Sequence, residues 1–187
     1  GASCTASLPL QADNNIGVSE KVITITKVNG KANEAEKKSV NCKLTTVDKQ
    51  VKRNVVVEEN TGTGCGWCPR GIVAFRYMAE KYPETFIGIA VHKSDNLETN
   101  TYSYLKFNGY PSCYVNRNLR NSTSPEAGTL EVMHNKAVAI PPHVGVEVTA
   151  SFTDNTKKVI DAKASTTFFA DEQGLKYKIS YVLIENG

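Results

Sequence analysis

The 187-residue chain has no second C-x-x-C, no histidine pair at ligand spacing, no apolar run of membrane-spanning length and no basic cluster interleaved with aromatics. Each absence removes a class of function. A spanning helix needs roughly 20 apolar residues, and none is found. A signal peptide is not visible either, but processed chains lack one too, so the compartment stays open. Lys and Arg number 22 against 19 Asp and Glu, dispersed along the chain for a net charge of +3, and this argues against nucleic acid as a partner. The three histidines (His92, His134, His143) and the cysteines Cys4, Cys42 and Cys113 are scattered without metal-ligand spacing. Hydrophobic residues make up 40% of the chain, enough for a real core in one large domain or two small ones.

What is present concentrates in Arg53–Tyr82, and there in Gly64-Cys65-Gly66-Trp67-Cys68-Pro69. Val55-Val56-Val57 reads as a buried strand, and Asn60-Thr61-Gly62-Thr63-Gly64 breaks it as a loop. A helix is expected from Pro69, with Ile72, Phe75, Ala79 and Tyr82 on its inner face and Pro83 closing the segment. The two cysteines then lie at a helix mouth, where unpaired amides and the helix dipole stabilise a thiolate. Cysteines three apart there close a disulfide with little rearrangement. Half of a zinc site looks the same, but the second half is missing, so a redox dithiol is the stronger reading. It calls for no cofactor and no metal.

These residues carry a resemblance. Val55-Val56-Val57-Glu58-Glu59 followed by Cys65-Gly66-Trp67-Cys68 resembles the first strand, loop and active-site helix of the thioredoxin superfamily, and Gly109-Tyr110-Pro111-Ser112 resembles its cis-proline loop. With Pro69-Arg70-Gly71 and Val115-Asn116-Arg117 added, the chain is similar to a family of outer-membrane-associated, thioredoxin-like lipoproteins from anaerobic Gram-negative bacteria. The resemblance covers about residues 50–140. Two positions depart from it: Gly64 stands where Trp is usual, and Tyr110 where thioredoxin has a small polar residue.

The resemblance implies roles. Cys65, nearer the helix mouth, would form the mixed disulfide with a protein substrate, and Cys68 would resolve it. Glu59 would be the buried acid that accepts the resolving thiol's proton, with a raised pKa, although Glu58 is equally eligible from sequence. Pro111, in a cis peptide, would keep metals away and present the Tyr110 backbone to a substrate strand. Trp67 would serve as a substrate platform or as a cap over the site. Arg70, His92 and Lys93 read as solvated surface near the site. Cys113 should point inward, as a structural thiol before a third redox partner.

The flanks read as β. Residues 1–15 form a flexible leader, in which Ala2-Ser3-Cys4 matches the end of a lipoprotein signal; acylation at Cys4 would be the chain's one route to a membrane. Residues 16–50 hold two strands, Val18–Val28 with a tight turn at Asn29-Gly30, and a second carrying Cys42, a buried thiol before a disulfide partner. Residues 51–142 form the thioredoxin-like domain, with a parallel strand at Phe86–Val91, a helix at Leu97–Phe107, a strand at Ser112–Val115 and a helix from Ser124-Pro125-Glu126 to Ala139. Residues 143–187 alternate as three strands, the last through Tyr177, Ile179, Tyr181 and Leu183 after a turn at Gln173-Gly174, and are expected to pack with 16–50. The expected fold class is α/β: a thioredoxin-like domain with a flanking antiparallel, sandwich-like β module. The expected function is thiol–disulfide exchange on protein disulfides in the periplasm or at the outer membrane or cell surface, with a redox protein as a further partner. The rival is a non-catalytic surface binding or adhesion module on the same fold, which Gly64 and Tyr110 keep open.

Overall fold

Turn chemistry sets the start of the chain. In a computed structural model, which describes residues 3, 5–118, 123–156, 158–170, 174 and 176–185, it runs as nested hairpins: β1 (Gly17–Thr24), β2 (Lys27–Val28), β3 (Lys31–Ala32) and β4 (Ser39–Thr46). β1 pairs with β4 and β2 with β3, both antiparallel. Asn29 and Gly30 both take positive φ, 50° and 79°, as a two-residue hairpin turn demands. The expected strand Val18–Val28 is interrupted at Ile25-Thr26, where the Asn33 side chain takes the Ile25 carbonyl at 2.8 Å. Cys4, with the anchor expectation, lies outside the described residues, as does Gln173.

β5 (Val55–Thr61) is buried on both faces and lies at the centre of a three-stranded sheet. α1 (Pro69–Lys81) follows it, with Pro at its first position, where no amide partner is lost, and Lys81 in its last turn. β6 (Phe86–His92) returns parallel to β5, and β7 (Ser112–Val115) runs antiparallel on the other side, giving the order β6-β5-β7. The helix expected at Leu97–Phe107 is only a 3₁₀ turn at Asn100–Tyr102, because a Thr- and Asn-rich stretch competes with its own backbone. α2 (Ala127–Val138) begins one residue after Glu126, its cap, and stops short of Pro141-Pro142.

The core lies on the helix side of this sheet, where Val55, Val57, Cys113 and Val115 meet Ala74 and Met78 of α1 and Leu130 of α2. Each large aliphatic chain buried there contributes about 1.5–3 kcal/mol. Glu131 ties the two helices together, accepting from Tyr77 Oη at 2.8 Å, Tyr82 Oη at 2.7 Å and Lys81 Nζ at 2.7 Å. The inner face of α1 is Gly71, Ala74 and Met78, with Phe75 half-buried; Ile72, expected inside, is half exposed. The helix is rotated by one residue from the periodic reading because Gly71, not Ile72, must face β5.

β8 (Val144–Phe152) and β9 (Ile160–Phe168) form a further antiparallel hairpin. Tyr177, Ile179, Tyr181 and Leu183 keep their alternation but form no strand, and their side chains are exposed, with the Tyr177 ring edge-on to Phe168 at 5.3 Å. The chain divides into two compact units, Gly1–Gln50 with His143–Ile179 and Val51–Pro142 with Ser180–Gly187. In the first unit the expected sandwich-like module takes the form of separate two-stranded sheets, with a backbone hydrogen bond from Asp48 N to Phe169 O at 3.4 Å. The whole is a mixed α/β chain with few helices. No helix of the described residues is long and apolar enough to cross a membrane.

Candidate active site

β5 delivers the chain to the site, and α1 receives it. Between them Cys65 N donates to Gly62 O at 3.0 Å and Cys68 N to Cys65 O at 3.2 Å, winding the loop directly into the helix. Cys68 caps α1, and the Gly71 amide donates to its carbonyl at 2.9 Å. Cys65 and Cys68 are joined in a disulfide with a Cα–Cα distance of 5.4 Å. Their exposure differs: Cys65 is half-buried at the mouth, while Cys68 is 2% exposed. An incoming sulfur can therefore reach Cys65 and not Cys68.

The strand alternation separates the two carboxylates that sequence left equivalent. Glu59 faces α1 and is 2% exposed; its Oε1 has no hydrogen-bond partner among the described residues. Burial pushes its pKa up to about 7. Glu58 faces the other way into the Arg117 guanidinium, which forks onto it with Nε–Oε1 at 3.0 Å, Nε–Oε2 at 3.1 Å and Nη2–Oε1 at 2.8 Å. Glu58 is thus taken up in an ion pair, while the Glu59 carboxyl, with its raised pKa, is poised to take and release a proton near neutrality. Gly71 makes this possible, since a Cβ there would lie 1.8 Å from Glu59 Oε1.

Opposite the dithiol loop, the Tyr110–Pro111 peptide is cis and Pro111 is buried. β7 begins at the next residue, setting Ser112 beside Asn60 and Cys113 beside Glu59. Asn60 Nδ2 donates to Gly109 O at 2.8 Å, as does Ser112 Oγ, so β5 also positions the proline loop. The loops approach at Gly62, whose Cβ position would meet Tyr110 Cε1 at 4.0 Å. Trp67 is 74% exposed; Arg70 lies over its ring at 5.8 Å and reaches Glu126 at 3.6 Å. Tyr110 is partly exposed. Cys113 is fully buried, its thiol pushed up to about 12 chiefly by burial. Cys42 is free and only half-buried.

His92 is not the solvated residue that sequence suggested. Its Nδ1 lies 2.7 Å from Asp95 Oδ2, which also accepts from Thr63 N at 2.8 Å, while Asp95 Oδ1 accepts from Leu97 N at 2.9 Å. The His92 ring first, then the Thr63 amide, hold Asp95 down at about 2. Lys93 is exposed, yet its amide donates to Thr61 O at 3.0 Å. Sequence reasoning missed Gly71, Asp95 and the pairing role of Arg117. A glycine in a helix's first turn costs about 1 kcal/mol against alanine, and that cost was the available signal. Asp95, in a turn after a strand, gave none. Among the described residues no group of His, Cys, Asp and Glu is arranged to hold a metal ion.

No protein-family model matches the chain, and no curated protein sequence does. The sheet order, the helix-mouth dithiol and the cis-proline loop have the form of a thioredoxin-like fold. Among solved structures, HBP35 of Porphyromonas gingivalis aligns over 66% of this chain at 22% identity with a TM-score of 0.51, a likeness that fits that fold and speaks to the fold alone. The chain spans 45% of that structure's length. A protein from Agrobacterium tumefaciens aligns over 65% of this chain and 77% of its own at 17% identity, with a TM-score of 0.42, and carries no argument.

Proposed function

We propose that this chain is a thiol–disulfide oxidoreductase acting on protein disulfides outside the cytoplasm. One observation carries the reading: an accessible Cys65 disulfide-bonded to an inaccessible Cys68, at a helix mouth above a lone buried carboxyl held near pH 7. In the reducing direction the Cys65 thiolate attacks a substrate disulfide. A Cys65–substrate S–S bond forms, and the first substrate sulfur leaves as a thiolate that takes a proton from solvent. Glu59 then accepts the Cys68 proton, and Cys68 attacks Cys65 Sγ. The mixed disulfide breaks, the second substrate thiolate leaves, and two electrons have passed from the dithiol to the substrate. The oxidising direction runs the same steps backwards from the disulfide seen here.

Tyr110 and Pro111 would align the substrate chain, and Trp67 would give it an exposed flat surface. Placement in the periplasm or at the outer membrane or cell surface, anchored through Cys4, and membership of the outer-membrane lipoprotein family rest on the sequence resemblance. Disulfide chemistry in extracytoplasmic compartments agrees with it.

The test is an equilibrium titration of the Cys65–Cys68 pair in glutathione buffers, counting thiols by mass shift, with Cys65→Ser as control and Trp67 fluorescence as a second readout. A titratable midpoint is expected, and its value gives the direction of electron flow. A pair that never opens or never closes overturns the reading in favour of a non-catalytic binding module.

A further inference from the structure

The segment from His92 to Glu98 lies outside the dithiol, the acid and the proline loop, yet it is tied to the loop that carries Cys65. Lys93 N holds Thr61 O, and Asp95 Oδ2 holds Thr63 N, two residues before Cys65. Gly62 is pressed against this segment so closely that a Cβ would meet Lys93 O at 2.9 Å. The segment is itself braced: Ser94 N donates to Glu98 Oε2 at 2.7 Å, Glu98 N to Asp95 O at 3.2 Å, and Ser94 takes a positive φ of 61° to permit the turn. It also lies against the proline loop, with Ser94 Oγ 3.5 Å from Tyr110 Oη. Asp95, its side chain 5% exposed, is the node of this brace, and His92 stands behind it.

Building on the exchange reading, we propose that Asp95 is the positioning residue of the dithiol: with His92 orienting it, its carboxylate fixes the Gly62–Gly64 loop and so sets how readily Cys65 ionises and reacts. The physical reason is local. The Thr63 amide is the last backbone donor before Gly64 and Cys65 that is pinned by a side chain. A charge-assisted bond from an amide to a buried carboxylate is stronger than a neutral one. Releasing it lets Gly62-Thr63-Gly64, which holds two glycines, sample other conformations. The turn that brings Cys65 to the helix mouth then loosens, and the thiolate loses part of its stabilisation. His92 fixes which carboxylate oxygen faces Thr63, so it acts through Asp95 and not on sulfur.

The experiment compares the intact chain with Asp95→Ala, Asp95→Asn and His92→Gln. The readouts are the pH profile of Cys65 alkylation in the reduced protein, the equilibrium potential against glutathione and the thermal midpoint. Asp95→Ala is expected to move the alkylation profile to higher pH and to slow alkylation at neutral pH about tenfold, the scale of a lost hydrogen bond to a charged group. Asp95→Asn, which keeps an oxygen acceptor for Thr63, should recover part of the rate. His92→Gln should shift the profile in the same direction by less. Variants that lower only the thermal midpoint, leaving the alkylation profile and the potential at the parent values, would overturn the proposal and reduce Asp95 to a stabilising contact. A profile that moves to lower pH in Asp95→Ala would overturn it as well, since Asp95 would then act on Cys65 by charge alone. A parent protein whose dithiol never titrates removes the exchange reading itself, and this proposal falls with it; a parent that titrates beside unchanged variants removes only this proposal.

Discussion

The two units are built from strands of similar length and opposite character. β5 has only seven residues, and six of them are buried. β8 and β9 have nine each, and their Val146, Val148, Phe152 and Phe168 remain largely exposed. The difference is not composition, since both contain β-branched runs. β5 is flanked by a strand on each side and packed against the helices, so even its polar side chains are taken out of water, and Glu59 Oε1 is left there with no hydrogen-bond partner among the described residues. The β8–β9 ribbon gives each strand one hydrogen-bonded neighbour, and these side chains stay exposed among the described residues. What surrounds a strand, more than what it contains, decides whether a carboxylate on it becomes a reagent.

The contrast can be broken by mutation. Met78→Ala, in the centre of the α/β core, should cost about 2–5 kcal/mol by denaturant unfolding, because the fully buried side chain leaves a cavity. A cost below 1 kcal/mol would show that this unit is no better packed than the hairpins. Next comes the pH dependence of Glu59. Its folded pKa of about 7 lies above the ordinary 4.5, so the folded state holds the extra proton between these values. Stability from this group is therefore full below pH 4.5 and lost as pH rises through 7, on the order of 3 kcal/mol. Parent and Glu59→Gln unfolding curves at pH 5 and pH 8 should diverge accordingly. Equal pH dependence in the two proteins would put the carboxyl in water.

Gly71→Ala should cost about 1–3 kcal/mol through overpacking, despite the better helix propensity of alanine. Combining it with Glu59→Ala should return part of the loss, and strict additivity in that double-mutant cycle would mean that the two sites do not touch. Val148→Ala, on the exposed ribbon, should change stability by no more than about 0.5 kcal/mol. A larger loss would mean that the ribbon is covered in solution.

Legibility in the sequence follows the same division. The strand, loop and helix mouth at residues 55–69 were readable because propensity, turn residues and burial agree there. Tyr110–Pro111 was readable from resemblance. The face of α1 was misread by one residue: periodicity counts apolar side chains, and the residue nearest β5 is Gly71, which has none. Glu58 and Glu59 could not be told apart, since their difference lies in Arg117, far along the chain. Asp95 was invisible because its partners are two backbone amides and a histidine, none of which leaves a pattern in sequence. The strand expected at residues 177–183 shows the converse limit, for alternation describes a surface and does not by itself make a ladder.

Adjacent acids on β5 also act as an address. Because consecutive side chains point to opposite faces, a one-residue slip of this strand would turn Glu58 toward α1 and Glu59 toward Arg117. The two side chains are chemically identical, so neither carboxylate would reject the exchange. Val55 and Val57 would, since the same slip carries both out of the core and replaces them with Val56 and the polar flank. The register of one strand is thus written in its valines and spelled out in its glutamates: an apolar code guards which of two like groups lies under the helix and which meets the guanidinium.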